Sequence, residues 1–153
     1  MAEILSICIS REKGTQKKAV RECRLVEGHG CEGDAHAGPW HRQVSLLADE
    51  SAETIRGKGV EIGPGDFGEN ILTKGIELKT LPIGTRLRLG DGILLKVTQI
   101  GKECHDRCAI YEKVGDCVMP REGVFTEVLT GGVIKPGDEI EVAEGDSSGN
   151  PDR

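Results

Sequence analysis

Short runs in which apolar and polar residues alternate are separated by turns rich in glycine and proline, the pattern of β-strands in a turn-dense protein. Ile4 to Ile9 alternates around Ser6 and Cys8 and predicts a first strand. Arg11-Glu12-Lys13-Gly14 turns the chain, and Lys17 to Val26 predicts a second extended run, so a hairpin or meander opens the fold. Gln43 to Leu47 predicts another short strand. One helix is expected, from Asp49-Glu50-Ser51 to near Gly57 or Gly59. Its acidic first turn, the basic Arg56 and Lys58 at its end and the glycine stop all suit the helix dipole. After Gly63-Pro64-Gly65, the segment Phe67 to Leu72 returns to the sheet. Thr85 to Leu89 alternates, Gly90-Asp91-Gly92 turns, and Ile93 to Thr98 follows as a buried strand, together a hairpin. Gly123 to Leu129 predicts the next strand, Gly131-Gly132 and Pro136-Gly137-Asp138 punctuate, and Glu139 to Val142 closes the sheet. One domain over 1–143 is expected, followed by a polar, disordered tail from Glu144 to Arg153.

Composition narrows this picture. A chain of 153 residues can bury a real core, yet only four residues are aromatic: Trp40, Phe67, Tyr111 and Phe125. Ile, Leu, Val and Ala must therefore build the core. The net charge of −6 and the absence of a basic run argue against a nucleic-acid binder. No apolar run approaches membrane-spanning length, and MAEILSICIS has neither the basic nor the long apolar part of a secretion signal, so a cytoplasmic protein without membrane partners is expected. The six cysteines are then reduced thiols rather than a disulfide framework, with Cys8 and Cys23 serving as small buried hydrophobes.

Two stretches carry the reactive groups. Val97 to Gly123 holds Cys104, Cys108 and Cys117, with His105 adjacent and Lys102, Arg107 and Arg121 nearby. Cationic neighbours lower a thiol pKa, and the thiolate is the form that attacks sulfur or binds a soft metal. Glu27 to Arg42 is a glycine-rich loop holding three of the four histidines, among them His36 and His41. The competing readings are bland or structural. Any one of these cations can be a solvated surface charge, a histidine can bond a loop carbonyl, Asp34 can be a turn residue and Asn70 can hold a loop. Cys104, His105, Cys108 and Cys117 match a zinc set by residue type, although C-H-x2-C-x8-C is not a familiar knuckle and adjacent ligands strain one tetrahedral centre.

In order, Gly33-Asp34-Ala35-His36, His41 to Leu47, Phe67-Gly68-Glu69-Asn70-Ile71, the Cys104 loop, Arg121-Glu122-Gly123-Val124-Phe125 and Lys135-Pro136-Gly137-Asp138 resemble the MOSC domain. That family is named for the C-terminal domain of molybdenum cofactor sulfurases. The resemblance spans about residues 3 to 142 and implies a mainly β fold: a closed, strongly bent β-barrel with a few short helices. It further implies binding of the molybdenum cofactor (molybdopterin), with Cys104 matching the family cysteine that carries sulfur or ligates molybdenum. Cys108 and Cys117 are additional thiols that can relay or resolve a persulfide. For the cofactor's phosphate and pterin, Arg121, Lys102, Arg42, His36, His41 and Asn70 are the candidate contacts. The implied activity is sulfur transfer, or a part in a molybdenum oxidoreductase, with a cysteine desulfurase or a molybdoenzyme as partner. A pyridoxal phosphate site is not expected in this chain. A non-catalytic module that binds and delivers the cofactor is the alternative, with a zinc-stapled adaptor as a third.

Overall fold

The computed structural model describes residues 2–11, 17–35, 37–57, 59, 63, 65, 69–100 and 123–143. Eleven strands are present among them: β1 (Glu3–Ile9), β2 (Lys18–Val20), β3 (Cys23–Val26), β4 (Gly30–Cys31), β5 (Val44–Ala48), β6 (Ile71–Lys74), β7 (Arg86–Leu89), β8 (Ile93–Ile100), β9 (Val124–Thr130), β10 (Gly132–Ile134) and β11 (Ile140–Val142). The helix α1 (Asp49–Arg56) follows β5 directly, and a 3₁₀ turn covers Leu78–Thr80. Arg56 closes α1 on its own acidic residues, 2.8 Å from Asp49 and 2.9 Å from Glu53. The protein is mainly β with few helices, as expected.

Eight strands form one sheet in the order β11-β7-β8-β9-β5-β6-β1-β2, and β10-β3-β4 form a second. Every pairing is antiparallel except β5 with β6, which α1 and the chain up to Asn70 connect. A parallel pair needs such a crossover, because a tight turn only reverses direction. β5, Val-Ser-Leu-Leu-Ala, is buried at each position because it is central and covered on both faces. β8 alternates instead, turning Ile93, Leu95 and Val97 into the core. That core is aliphatic, with Ile4, Ile7, Leu25, Leu46, Ile71, Leu87 and Leu95 among its wholly buried side chains.

Three expectations are corrected. The extended run Lys17 to Val26 divides at Arg21 and Glu22: β2 pairs with β1, whereas β3 leaves for the second sheet, where Cys23 and Leu25 reach the core. Gly131-Gly132, expected only as punctuation, leads into β10, because Val133 pairs with Arg24. The strand ladder also does not run as a continuous closed barrel. Its ends, β11 and β2, do not pair, and the sheet is drawn together by single hydrogen bonds: Ile4 N to Asp138 O (2.9 Å), Gly137 N to Ile4 O (2.8 Å) and Ile140 N to Ala2 O (3.2 Å).

The second sheet approaches β9 closely at the β9–β10 turn. A Cβ on Gly131 would lie 2.3 Å from the Leu25 carbonyl oxygen, a backbone atom that cannot step aside. Gly131→Ala is therefore expected to lower stability by about 1–3 kcal/mol in urea unfolding; an unchanged midpoint would show that the two sheets are not held at this distance.

Candidate functional site

At the C-terminal end of β1, a group of polar side chains is buried together. Lys17 Nζ donates to Asp34 Oδ1 at 2.7 Å, with the two side chains 2% and 0% exposed. The same carboxylate oxygen accepts Ser10 N–H at 3.0 Å, and Ala35 N returns to Ser10 O at 2.7 Å. The Gly33-Asp34-Ala35 turn is thereby fastened to the end of β1. Burial pushes the Asp34 carboxyl up, but hydrogen bonds from Lys17, Ser10 and Asn70 outweigh it and hold the group below the usual carboxylate range. Lys17 N also donates to Gly65 O at 3.3 Å. Gly65, at φ 83°, lies so close to Lys17 O that a Cβ there would meet it at 2.1 Å. Its own N–H donates to the buried Glu69 carboxylate at 2.7 Å.

Asn70 extends this group across the sheet. Its Oδ1 accepts Ser45 N–H at 3.0 Å and Ser45 Oγ–H at 3.3 Å, while Nδ2 donates to Cys8 O at 3.0 Å. The strand register puts Cys8, Asn70, Ser45, Phe125 and Gln99 in one row across β1, β6, β5, β9 and β8. At the far end of that row, the Arg42 guanidinium stacks over Trp40, 4.7 Å from its centroid, and over Phe125, 5.5 Å from its centroid. Arg42 Nε is buried without a hydrogen-bond partner among the described residues. His41 Nε2 is 2.8 Å from Gln99 Oε1, which as an acceptor selects the Nε2–H form, and the His41 ring meets Trp40 edge-on at 5.8 Å. Thr98 Oγ lies against the His41 and Phe125 carbonyls and anchors the passing chain to β8.

This cluster sits at the root of the cysteine segment, since the chain leaves β8 after Ile100 and re-enters the sheet at Val124, directly opposite. Of the residues singled out from sequence, the structure brings His41 and Arg42 together there, and it sets Asn70 in the buried group two strands away. Cys104, Cys108, Cys117, Lys102, Arg121 and His36 lie outside the described residues. Cys8, Cys23 and Cys31 are buried, as expected for the first two. Cys31 is held well above the ordinary thiol pKa by its hydrogen bond with Cys23 and by burial. Sequence reasoning missed Lys17, Trp40, Gln99 and Phe125 as members of these groups. Nothing local singled out Lys17, because four of the nine residues that follow it to Val26 are charged as well: Lys18, Arg21, Glu22 and Arg24. Among the described residues no group of three or more His, Cys, Asp or Glu side chains could hold a metal ion.

The MOSC domain model matches residues 32–141, most of the chain. The chain belongs to the MOSC domain family. The YuaD protein of Bacillus subtilis has the same fold, with a TM-score of 0.77 at 23% identity over 93% of this chain and 96% of that one. YiiM of Geobacillus stearothermophilus superposes with a TM-score of 0.70 at 20% identity, covering 94% of this chain and 76% of that one. YiiM of Escherichia coli gives 0.65 at 18% identity, covering 94% and 70%. At these identities the likeness concerns the fold. No curated protein matches the chain. No helix among the described residues of this MOSC protein is long and apolar enough to cross a membrane.

Lys17→Met would leave the Asp34 carboxylate buried without its counter-ion, so a loss of about 3–5 kcal/mol is expected at neutral pH. Because the folded pKa of Asp34 is depressed, its contribution to stability is complete above the unfolded value of about 3.9 and is lost as pH falls through the folded value. Denaturant unfolding of wild type against Asp34→Asn should therefore show a gap at pH 6 to 7 that shrinks under acid; a gap independent of pH would contradict the ion pair's role.

Proposed function

We propose that this MOSC protein binds the molybdenum cofactor and presents Cys104 to it, as a thiolate ligand to molybdenum or as a carrier of transferable sulfur. The observation that carries the proposal is the Arg42 guanidinium, set over Trp40 and over Phe125 with a buried Nε that has no partner among the described residues, beside the root of the segment bearing Cys104, Cys108 and Cys117. A donor oriented by two rings suits an anionic oxygen, and guanidinium matches phosphate with paired N–H donors. The residues present thus fit a phosphate-bearing pterin. When bound, the cofactor supplies a metal centre that exchanges oxygen and sulfur ligands.

The chain's own residues have separable roles in this reading. Trp40 and Phe125 fix the plane of Arg42 and shield its faces from water, which strengthens the charge it offers. His41, tethered through Nε2 to Gln99, keeps Nδ1 as an acceptor for a pterin N–H. Lys102, Arg121 and His36 are the further cofactor contacts. Asn70 contributes by position, its amide holding Ser45 and Cys8. A thiolate at Cys104 is a soft ligand suited to molybdenum. As a carrier, Cys104 would hold its sulfur as a persulfide; a Cys108 or Cys117 thiolate attacking the outer sulfur would take that sulfur as its own persulfide, with the S–S bond broken and the Cys104 thiolate as leaving group. Residues 1–143 act as one MOSC domain. Its setting is the cytoplasm, with a cysteine desulfurase or a molybdoenzyme as partner.

The test is metal analysis with pterin fluorescence on protein purified anaerobically from cells rich in the cofactor. Wild type should carry molybdenum and pterin together, Cys104→Ser should lose molybdenum or hold it weakly, and Arg42→Gln should bind pterin about tenfold more weakly or worse, as for loss of a charged hydrogen bond. Stoichiometric zinc without pterin would overturn the proposal.

A further inference from the structure

A cavity of about 410 Å³ opens between α1 and the chain that leaves β6. β5 passes straight into α1 at Ala48-Asp49, while β6 ends at Lys74 and Gly75, at φ 92°, turns the chain away toward the 3₁₀ turn at Leu78. Small residues, Ala48, Ser51, Thr54 and Gly75, line the gap between the two segments and leave it unfilled. Its volume falls in the range of small-molecule sites, about 300 Å³ and upward. Ala48 lies at the far end of β5 from Arg42, roughly 20 Å along the strand, so this cavity is separate from the stacked guanidinium.

The lining has two characters. Ala48, Ile76 and Leu78 make an apolar floor, with Ala48 and Leu78 almost wholly buried. Glu50, Ser51 and Thr54, three and four positions apart, share one face of α1, and Glu77 comes from the other wall. Thr54 Oγ–H is used within the helix, donating to Ser51 O at 2.7 Å. Ser51 Oγ differs: the residue is only 7% exposed, it lines the cavity, and its hydroxyl has no hydrogen-bond partner among the described residues. A buried hydroxyl left unpaired is costly, and the cavity is the one direction from which a partner can reach it. Glu50 accepts Gly75 N–H through Oε2 at 2.9 Å, and Glu77 makes no side-chain bond to cap the 3₁₀ turn it precedes. Neither carboxylate has a cation within ion-pair distance among the described residues.

We propose that this cavity binds a small primary ammonium compound with a short apolar body. A hydrated metal ion would gain nothing from the floor, and an anion would be repelled by Glu50 and Glu77. A primary ammonium carries three N–H donors, and the lining offers three acceptors to meet them: Glu50, Glu77 and Ser51. The carbon chain then covers Ala48, Ile76 and Leu78 and excludes water from the ionic contacts, which strengthens them. An alkylamine is protonated at neutral pH, as a lysine side chain is. A lysine of another protein carries the same group, but a hollow of this size matches a whole small molecule. The inference does not depend on cofactor binding.

Titration of the full chain with n-pentylammonium, pentan-1-ol and pentanoate, followed through its amide NMR resonances, tests it. n-Pentylammonium should shift Ser51, Gly75 and Glu77 saturably, with an affinity that falls as salt rises. Pentan-1-ol should bind about fivefold more weakly, and pentanoate should not bind. Glu50→Gln with Glu77→Gln should weaken n-pentylammonium about fivefold, and Ser51→Ala about threefold. Equal binding of the alcohol and the amine, binding of neither, shifts that map away from the cavity, or indifference to the paired glutamate changes would overturn the proposal. So would preference for an end-capped lysine peptide over the free amine, which would make a protein segment the occupant. If the paired variant does not fold once Gly75 loses Glu50, Glu77→Gln alone and the three probes still decide.

Discussion

A lysine and an aspartate removed from water, Lys17 with Asp34, set the geometry of one end of this molecule. Taking two charges out of water costs several kcal/mol each, and attraction between them does little more than offset that. The pair is therefore a device for specificity more than for net stability. Only one arrangement of the turn at Gly33, the end of β1 and the backbone at Gly65 satisfies both charges, and any slip leaves one of them unpaired. Asn70 carries the same constraint to β5 and β6 through Ser45 and Cys8.

From that fixed point the sheet register leads to the candidate site. Ser45 is held by Asn70 and pairs with Phe125, and Phe125 pairs with Gln99, so the platform under Arg42 and the tether of His41 are continuous with the buried polar group. The aliphatic core supplies the bulk of the stabilisation through burial, but it is non-directional and would tolerate small shifts. Hydrogen bonds and stacked rings define where the cation points. The stacked guanidinium stands where the chain leaves β8 after Ile100 and re-enters the sheet at Val124.

Much of the fold was legible because its strands alternate cleanly and its helix carries charges of the correct sign at each end. The strands at Ile4, Thr85, Ile93 and Gly123 and the helix at Asp49 fall where the pattern puts them. What the pattern could not give was partnership. Lys17 to Val26 looks like one strand because nothing local shows that β2 and β3 serve different sheets; Cys23 and Leu25 are drawn inward by contacts distant in sequence. Val133 joins a strand for the same reason. In the site, His41 and Arg42 were recognisable by type beside a glycine-rich loop. Trp40, Gln99 and Phe125 were not, since their roles arise only when β8, β9 and the chain before β5 are brought together. Asp34 looked like a turn residue, and its turn is real, but the buried lysine that makes it more than that is far from it in sequence.

The central claim is that the reactive thiol lies in the cysteine segment and faces the cofactor, while Cys8, Cys23 and Cys31 are scaffold. Alkylation rates of each cysteine, followed by mass spectrometry with and without bound cofactor, test it most directly. The account predicts slow labelling of Cys8, Cys23 and Cys31 in both states, and rapid labelling of Cys104 that the cofactor suppresses. Rapid labelling of the strand cysteines, or a Cys104 rate indifferent to the cofactor, would contradict it.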